Sequence, residues 1–122
     1  MRTSAVGAPT HPDPGQARAD FNIADVNGTT CSPDVIGFVA DTLKDLGHSV
    51  TINWPYYGGE LNRRHGDPAN RIESVFIEVN KRLFIDARTF QRTSNFANLK
   101  RSLDSLLAIL VSFARTRASK PR

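Results

Sequence analysis

Apolar and polar residues alternate in short stretches of the chain, which is the pattern of strands with one buried face. Residues 21–24 and 48–53 show this alternation. Residues 73–80 are rich in β-branched and aromatic side chains, which favour strands. We therefore predict three strands, the first of which begins at Phe21.

Two longer stretches instead place apolar residues three and four positions apart, which is the spacing of one helix face. The first follows Ser-Pro-Asp at residues 32–34, where the serine can accept a bond from a backbone amide and the proline suits the first turn. Gly47 would end this helix in a left-handed conformation. The second helix would begin after Thr93 or Ser94. Its apolar positions are Phe96, Leu99, Leu103, Leu106, Leu110 and Phe113.

The order strand, helix, glycine, strand predicts a βαβ unit with parallel strands. The predicted fold class is α/β, with one core domain over residues 20–114.

Residues 1–19 contain several prolines and glycines without periodicity, and we expect a flexible arm. Residues 53–68 predict one long loop, and residues 115–122 predict a basic, frayed tail. Three strands and two helices leave one sheet edge uncovered, so we expect further chain or a partner to complete the sheet.

Charge and composition exclude several classes of function. The net charge of +4 is supplied by Arg115, Arg117, Lys120 and Arg122. The rest of the chain is balanced, with 12 basic and 12 acidic residues, so we expect no nucleic-acid partner. The longest apolar stretch, residues 106–111, is too short to span a bilayer, and we expect no membrane partner. The single cysteine fits a reducing environment, which predicts a cytoplasmic location.

Glu78 is the strongest candidate for chemistry because it interrupts an otherwise apolar strand. In that strand it shares a face with Phe76 and Asn80, where partial burial raises the pKa of a carboxyl and suits a general acid or base. The alternative is a glutamate at a strand end that pairs with Lys81 or Arg82 at the surface.

The long loop is the second candidate for chemistry. Gly58 and Gly59 allow a ligand to approach the backbone closely, and Tyr56 offers a ring with a polar tip. Arg63 could hold a substrate carboxylate through paired N–H bonds. The alternative is a solvated loop with ordinary surface arginines.

Other reactive residues carry weaker signals. The histidines His11, His48 and His65 are too widely spaced to form a metal motif. Cys31 precedes a helix N-terminus, a position that lowers the pKa of a thiol, but no histidine pairs with it and we expect no nucleophile. Asp25, at the end of the first strand, could line a site or only orient the turn after it.

Several of these segments together resemble the N-formylglutamate amidohydrolase family. The stretches that match are residues 18–25, 27–31, 53–59, 63–68 and 76–84, and their order and spacing fit from about residue 14 to about residue 110. The most specific are Asn-x-Pro-Tyr-x-Gly-Gly at residues 53–59 and Ile-Glu-Val-Asn-Lys-Arg-Leu-Phe at residues 77–84. Either of these alone would be a weak signal.

The resemblance implies a fold and an activity. The family's fold is similar to that of zinc-dependent carboxypeptidases, so this chain would form part of a three-layer α/β/α sandwich around a mixed sheet. Family members hydrolyse an N-acyl amino acid, typically N-formyl-L-glutamate to formate and glutamate, late in histidine degradation. Glu78 would be the general base that activates a metal-bound water. The substrate-binding positions would be Asn53, Tyr56, Gly58, Gly59, Arg63 and Asn80.

The chain also departs from the family's pattern. Arg64 stands where a histidine is usual, which leaves the role of His65 open. A preceding segment with His-Ser-Gly and a later His-Ser, which resemble the family's metal-binding part, have no match, and His11 is a poor substitute. We therefore expect the ligands of a divalent metal, zinc by resemblance, to lie outside this chain.

Without those ligands, the chain would be an incomplete amidohydrolase, inactive alone, whose partner is the missing N-terminal half. The alternative function is a non-catalytic module that binds a small acid or pairs with another subunit through its open sheet edge.

Overall fold

The computed structural model describes residues 2–3, 6–7, 11–86, 88–89 and 91–118. Its strands are β1 (Arg2–Thr3), β2 (Phe21–Ala24), β3 (Val50–Ile52) and β4 (Phe76–Asn80). Its helices are α1 (Pro33–Asp45), α2 (Glu60–His65) and α3 (Phe96–Ala118). The three predicted strands and both predicted helices are present, and the α/β class is confirmed.

The strands form one mixed sheet in the order β1-β4-β2-β3. Strands β2 and β3 are parallel, with Phe21 opposite Val50, so the predicted βαβ unit is confirmed. Strand β4 runs antiparallel to β2 and places Glu78 opposite Asn22, while β1 pairs with β4 in the parallel direction. Within the described ranges, β3 has a neighbour on one side, and completion of the sheet by further chain or a partner stays a prediction.

The core lies between the sheet and the two long helices. Phe21 and Ile23 of β2 are fully buried, as is Leu43 of α1. Helix α1 contacts β2, β3 and α3. The two helices meet where Phe38 stacks on Phe113, with ring centroids 4.1 Å apart. Burial of each large apolar side chain stabilises the fold by roughly 1.5–3 kcal/mol. This packing holds β2 and the strands beside it in place.

The two chain ends differ from the prediction. The first element is β1 rather than β2, and within the arm Val6 bridges Ala17 while Asp13 and Arg18 are buried, so Phe21 as the first element was wrong. Helix α3 extends to Ala118 and its basic residue Arg117 is bonded to Glu73, so the frayed tail was wrong for residues 115–118. Lys120 and Arg122 lie outside the described residues.

Helix α2 interrupts the segment predicted as one loop. It begins directly after the glycine pair, and the Asn62 side chain accepts a bond from the Gly59 amide at 3.2 Å, which stabilises the first turn. The start of α1 also differs, because the Ser32 hydroxyl donates to Glu73 and does not accept from a helix amide. None of the helices in the described part of the chain is both long and apolar enough to cross a membrane.

Candidate active site

A cleft of about 310 Å³ opens between β2, β4 and the segment that leads into α2. Its walls combine apolar and neutral polar side chains, the glycine pair and two carboxylates. The residues that line it are Asn22, Ala24, Tyr56, Gly58, Gly59, Glu60, Leu61, Phe76 and Glu78. Glu78, Tyr56 and both glycines of the predicted site are therefore brought together.

Glu78 is half-buried in the middle of β4. Its Oε2 atom is inaccessible to solvent and has no hydrogen-bond partner among the residues that the structure describes. Burial raises the pKa of Glu78, and the charge of Arg18 opposes that shift. Arg82 pairs with Asp20 instead, which argues against the alternative of a surface pair between Glu78 and Arg82.

Two asparagines hold the segment that forms the outer wall of the cleft. Asn53 adopts a positive φ of 56°, and its side chain accepts from the Asp25 amide at 3.0 Å and donates to the Asp25 carboxylate at 2.8 Å. Asn22 exchanges two bonds with the backbone of Tyr56, at 3.0 and 3.2 Å. The Asn22 bonds set the position of Tyr56. The Asn53 side chain bonds to the turn at Asp25, and Asn53 is not among the residues that line the cleft, so it supports the backbone.

Gly58 is required by close packing as well as by backbone conformation, whereas a Cβ atom at Gly59 would meet nothing within 4 Å. Gly58 has a φ of 92°, and a Cβ atom at this position would lie 2.6 Å from Asn62 Oδ1. Asn62 cannot easily move, because it is buried and donates to the carbonyls of Ala24 and Ser74. The cleft wall is thus tied through one asparagine to the end of β2 and to the segment before β4.

Two predicted site residues lie elsewhere. The Asn80 side chain is fully buried and donates to the carbonyls of Arg18 and Ala19, so it supports the backbone and does not face the cleft. Arg63 is exposed on α2 and is not among the residues that line the cleft. His65 is likewise exposed on α2.

A charged cluster beside Tyr56 was missed from the sequence. The Arg18 guanidinium forms a two-pronged pair with Asp13, at 2.9 and 3.0 Å, in which both side chains are 3% exposed. The same guanidinium donates to the Tyr56 hydroxyl at 3.0 Å and contacts His11 Nδ1 at 2.9 Å. We call Asp13, Arg18, His11 and Tyr56 together the Arg18 cluster. The one available signal was an Asp and an Arg five positions apart in a segment otherwise poor in charge.

The structure also decides the weaker candidates. Burial, together with the nearby Glu73 charge, raises the pKa of Cys31 to about 12, so the expectation that a helix N-terminus lowers the pKa of this thiol was wrong. Asp25 accepts from the Gly28 amide at 2.8 Å and from Asn53, which favours its loop-orienting role. His48 lies between Asp20 and Ser102 and supports the fold.

A second carboxylate, Glu73, has the opposite environment. It accepts from the Ser32 hydroxyl at 2.9 Å, from the Ser32 amide at 2.7 Å and from Arg117 at 2.8 Å. Burial acts to raise its pKa, but these bonds outweigh burial and hold the pKa of Glu73 below its ordinary value. Glu73 therefore connects the start of α1 to the end of α3.

The described residues do not assemble a metal site. Across residues 2–3, 6–7, 11–86, 88–89 and 91–118, no three His, Cys, Asp or Glu side chains come close enough together to hold a metal ion. In the cleft, Glu78 and Glu60 are the acidic residues of the lining, and the other lining residues are apolar or neutral.

Comparisons with known proteins agree with the motifs. The sequence profile of the N-formylglutamate amidohydrolase family matches residues 3–85, and so includes most of the arm that the motifs left out. An N-formylglutamate deformylase from Pseudomonas putida is 30% identical over 100 residues, which cover 73% of this chain and 36% of that protein.

A solved structure gives the same result. The crystal structure of an N-formylglutamate amidohydrolase from Ralstonia eutropha JMP134 superposes with a TM-score of 0.82 at 29% identity, over 95% of this chain and 42% of that one. The chain thus spans about two-fifths of the length of these relatives or less.

Proposed function

The chain belongs to the N-formylglutamate amidohydrolase family, and on that premise we propose that it contributes the general base and one substrate-binding wall to the hydrolysis of an N-acyl amino acid. The substrate would be N-formyl-L-glutamate, cleaved to formate and glutamate. The observation that carries the proposal is the environment of Glu78, whose buried carboxylate oxygen has no partner among the described residues and lies at a cleft large enough for a small acid.

Glu78 would act on the attacking water. Its carboxylate takes a proton from the water as the oxygen adds to the acyl carbon. It then delivers that proton to the leaving nitrogen as the C–N bond breaks, so no net proton is gained or lost by the enzyme. Burial favours this duty, because a base with a raised pKa holds a proton more readily between the two steps.

The rest of the cleft would bind and orient the substrate. Tyr56 offers a hydroxyl, and the backbone at Gly59 can be approached closely because this residue carries no side chain and has open space beside it. Arg63 lies three residues after the start of α2, within its first turn, and would reach the substrate carboxylate from outside the cleft. We retain Asn53 and Asn80 as supports of the backbone around the site.

Family membership implies a divalent metal, zinc by resemblance, and the described residues do not fit such an ion on their own. When bound, the metal would polarise the acyl oxygen and lower the pKa of a bound water. Its ligands would lie outside the described residues. A three-layer sandwich of the carboxypeptidase type and a cytoplasmic place in histidine degradation complete the proposal.

A second candidate function, binding of a small acid without turnover, is favoured by one observation. The cleft is formed although the described residues make up no metal site. The isolated 122-residue chain is accordingly expected to bind N-formylglutamate but to retain no zinc at micromolar concentration and to release no formate. Zinc analysis of the purified chain and an enzymatic formate assay check this expectation, and retained zinc with steady formate release would contradict it.

The catalytic proposal is tested in a chimera. Residues 11–118 replace the matching part of the Ralstonia relative, and formate release is measured for the chimera and its Glu78→Gln variant. We expect Glu78→Gln to reduce kcat by about 10²–10⁴-fold, the usual contribution of a general base. Asp104→Asn, which removes an exposed carboxylate from α3, is the control and should keep the full rate. A folded chimera in which Glu78→Gln is as active as its parent would refute the assignment.

A further inference from the structure

Arg18 makes contacts that exceed what a structural ion pair requires. One edge of its guanidinium is bound by Asp13, and Nη2 also lies within hydrogen-bond distance of Tyr56 and His11. The guanidinium carbon lies 4.9 Å from the centre of the Tyr56 ring, and the His11 ring meets that ring edge-on at 6.2 Å between centroids. One cation thus fixes Tyr56, which lines the cleft, and His11, which packs against the Tyr56 ring.

The direction of these bonds follows from the chemistry of the guanidinium. Arginine carries N–H donors and no acceptor. The Tyr56 oxygen therefore accepts from Arg18, and its own O–H proton is directed to a different acceptor. Nη2 has two hydrogens, of which one is directed to Asp13, so the Tyr56 oxygen and His11 Nδ1 share the other in a three-centre bond. Because the guanidinium offers no acceptor, an Nδ1–H would have no partner there, and a neutral His11 imidazole therefore carries its proton on Nε2.

Asp13 fixes the cation that imposes this order. The two-pronged pair is almost fully enclosed by protein. The hydrogen bond to Arg18 lowers the pKa of Asp13, and the bond to Asp13 raises the pKa of Arg18. Both groups therefore stay charged over the neutral range, and the donors of Arg18 do not change with pH there.

We infer that Arg18 is a positioning residue of the candidate site, which holds the Tyr56 hydroxyl as a hydrogen-bond donor for the substrate and fixes His11 as its Nε2–H tautomer. The inference rests on the proposed function for the identity of the substrate. A hydroxyl that accepts from a cation is a stronger donor, because consecutive hydrogen bonds polarise one another. Arg18 acts through Tyr56 and His11 and need not touch the substrate.

The first test uses the unaltered protein. Long-range ¹H–¹⁵N spectra of the chain labelled at histidine report which ring nitrogen carries the proton, and His11→Gln assigns the signals of His11 among three histidines. We expect the Nε2–H form for His11 near neutral pH. A dominant Nδ1–H form would overturn the inference, because Arg18 could not then donate to Nδ1.

The second test uses Arg18→Lys and Tyr56→Phe. Lysine keeps the charge beside Asp13 but lacks the planar fork that reaches several acceptors. We expect Arg18→Lys to weaken binding of N-formyl-L-glutamate about tenfold, the lower end for loss of a supporting partner, and to mix the His11 tautomers. Tyr56→Phe should weaken binding by a similar factor, and adding Arg18→Lys to it should weaken binding little more. Arg82→Lys, in a half-exposed pair with Asp20, is the control and should change neither readout.

The outcomes separate this inference from the proposed function. Unchanged binding by folded Arg18→Lys would overturn the positioning role even if the protein were less stable. If Arg18→Lys does not fold, Tyr56→Phe and the His11 spectrum of the unaltered chain decide the matter. If the unaltered chain binds no N-formylglutamate in calorimetry, the proposed substrate fails, and the His11 spectrum alone then decides whether Arg18 imposes the tautomer.

Discussion

Glu73 and Glu78 lie five residues apart in one segment, yet their surroundings are opposite. Glu73 accepts three bonds, from the hydroxyl and amide of Ser32 and from Arg117. Glu78 has a buried oxygen with no partner in the described part of the chain, and it faces a cleft. The pKa of Glu73 is held low by its partners, whereas burial raises the pKa of Glu78.

The difference separates a structural carboxylate from a reactive one. A buried acid whose lone pairs are satisfied contributes to stability and resists protonation. A buried acid left unsatisfied costs stability, and such a group persists where a ligand or a reaction makes use of it. The contrast between these two sites is therefore the strongest structural reason to assign chemistry to Glu78.

The largest difference in stability should appear when each carboxylate is replaced by an amide in a separate variant. Glu73→Gln replaces one acceptor by a donor and removes the partner of Arg117, so we expect the free energy of unfolding to fall by about 3 kcal/mol. Glu78→Gln should change it by less than about 0.5 kcal/mol, or raise it, because the buried oxygen of Glu78 has no bond to a described residue that could be lost. Urea unfolding of both variants at neutral pH measures the difference, and equal losses would contradict the comparison.

The cleft side can be perturbed without touching Glu78. Gly58→Ala combines a left-handed φ with a collision against Asn62, and we expect a loss of about 2 kcal/mol and weaker ligand binding. Gly28→Ala is the matched control, since its φ is 86° but a Cβ atom would meet nothing within 4 Å. Its loss should be about 1 kcal/mol, with binding unchanged. Thermal melts and calorimetry on the pair distinguish collision from backbone strain.

The two glutamates should respond to pH with opposite signs. The folded pKa of Glu73 is below its ordinary value of 4.5, so its stabilisation is present above that pH and is lost as pH falls through the folded pKa. The folded pKa of Glu78 is raised, so its contribution is fully present below 4.5 and is lost as pH rises through the folded pKa. Urea unfolding should be measured from about pH 3 to about pH 7. As pH rises, the free energy of unfolding of the native chain should increase relative to that of Glu73→Gln and decrease relative to that of Glu78→Gln.

An exposed pair provides the smallest effect and completes the comparison. Asp104 pairs with Lys100 on α3 at 3.1 Å, but both side chains are about two-thirds exposed. We expect Asp104→Asn to cost less than about 0.5 kcal/mol, and less still at high salt. A loss as large as that of Glu73→Gln would show that burial is not what makes the Glu73 pair important.

The sequence predicted those elements that local patterns encode. Helix α1 followed from its apolar spacing and from proline and glycine at its ends, and β2 and β3 followed from alternation. Helix α2 was missed because it has only six residues and follows two glycines. Its start is stabilised by a bond from the Gly59 amide to the Asn62 side chain, which no periodicity records.

The candidate site, too, was predicted only where a local pattern in the sequence marks it. Glu78 was identifiable as a charge within an apolar strand. The Arg18 cluster was not, because Arg18 reaches Tyr56 across 38 residues and lies in a segment without periodicity. Asn80 was predicted to bind substrate because it occupies a motif position. In the structure its side-chain amide donates to two backbone carbonyls, which the sequence does not indicate.

That use of Asn80 has a consequence for the order in which the molecule assembles. One amide at the end of β4 joins backbone that is 61 and 62 residues earlier in the chain, so a long loop must close before these bonds form. Contacts of such separation form late and slowly. We expect Asn80→Ala to speed unfolding more than it slows refolding, with the single tryptophan, Trp54, as the fluorescent reporter. The cleft would then be the last part of the molecule to acquire its shape.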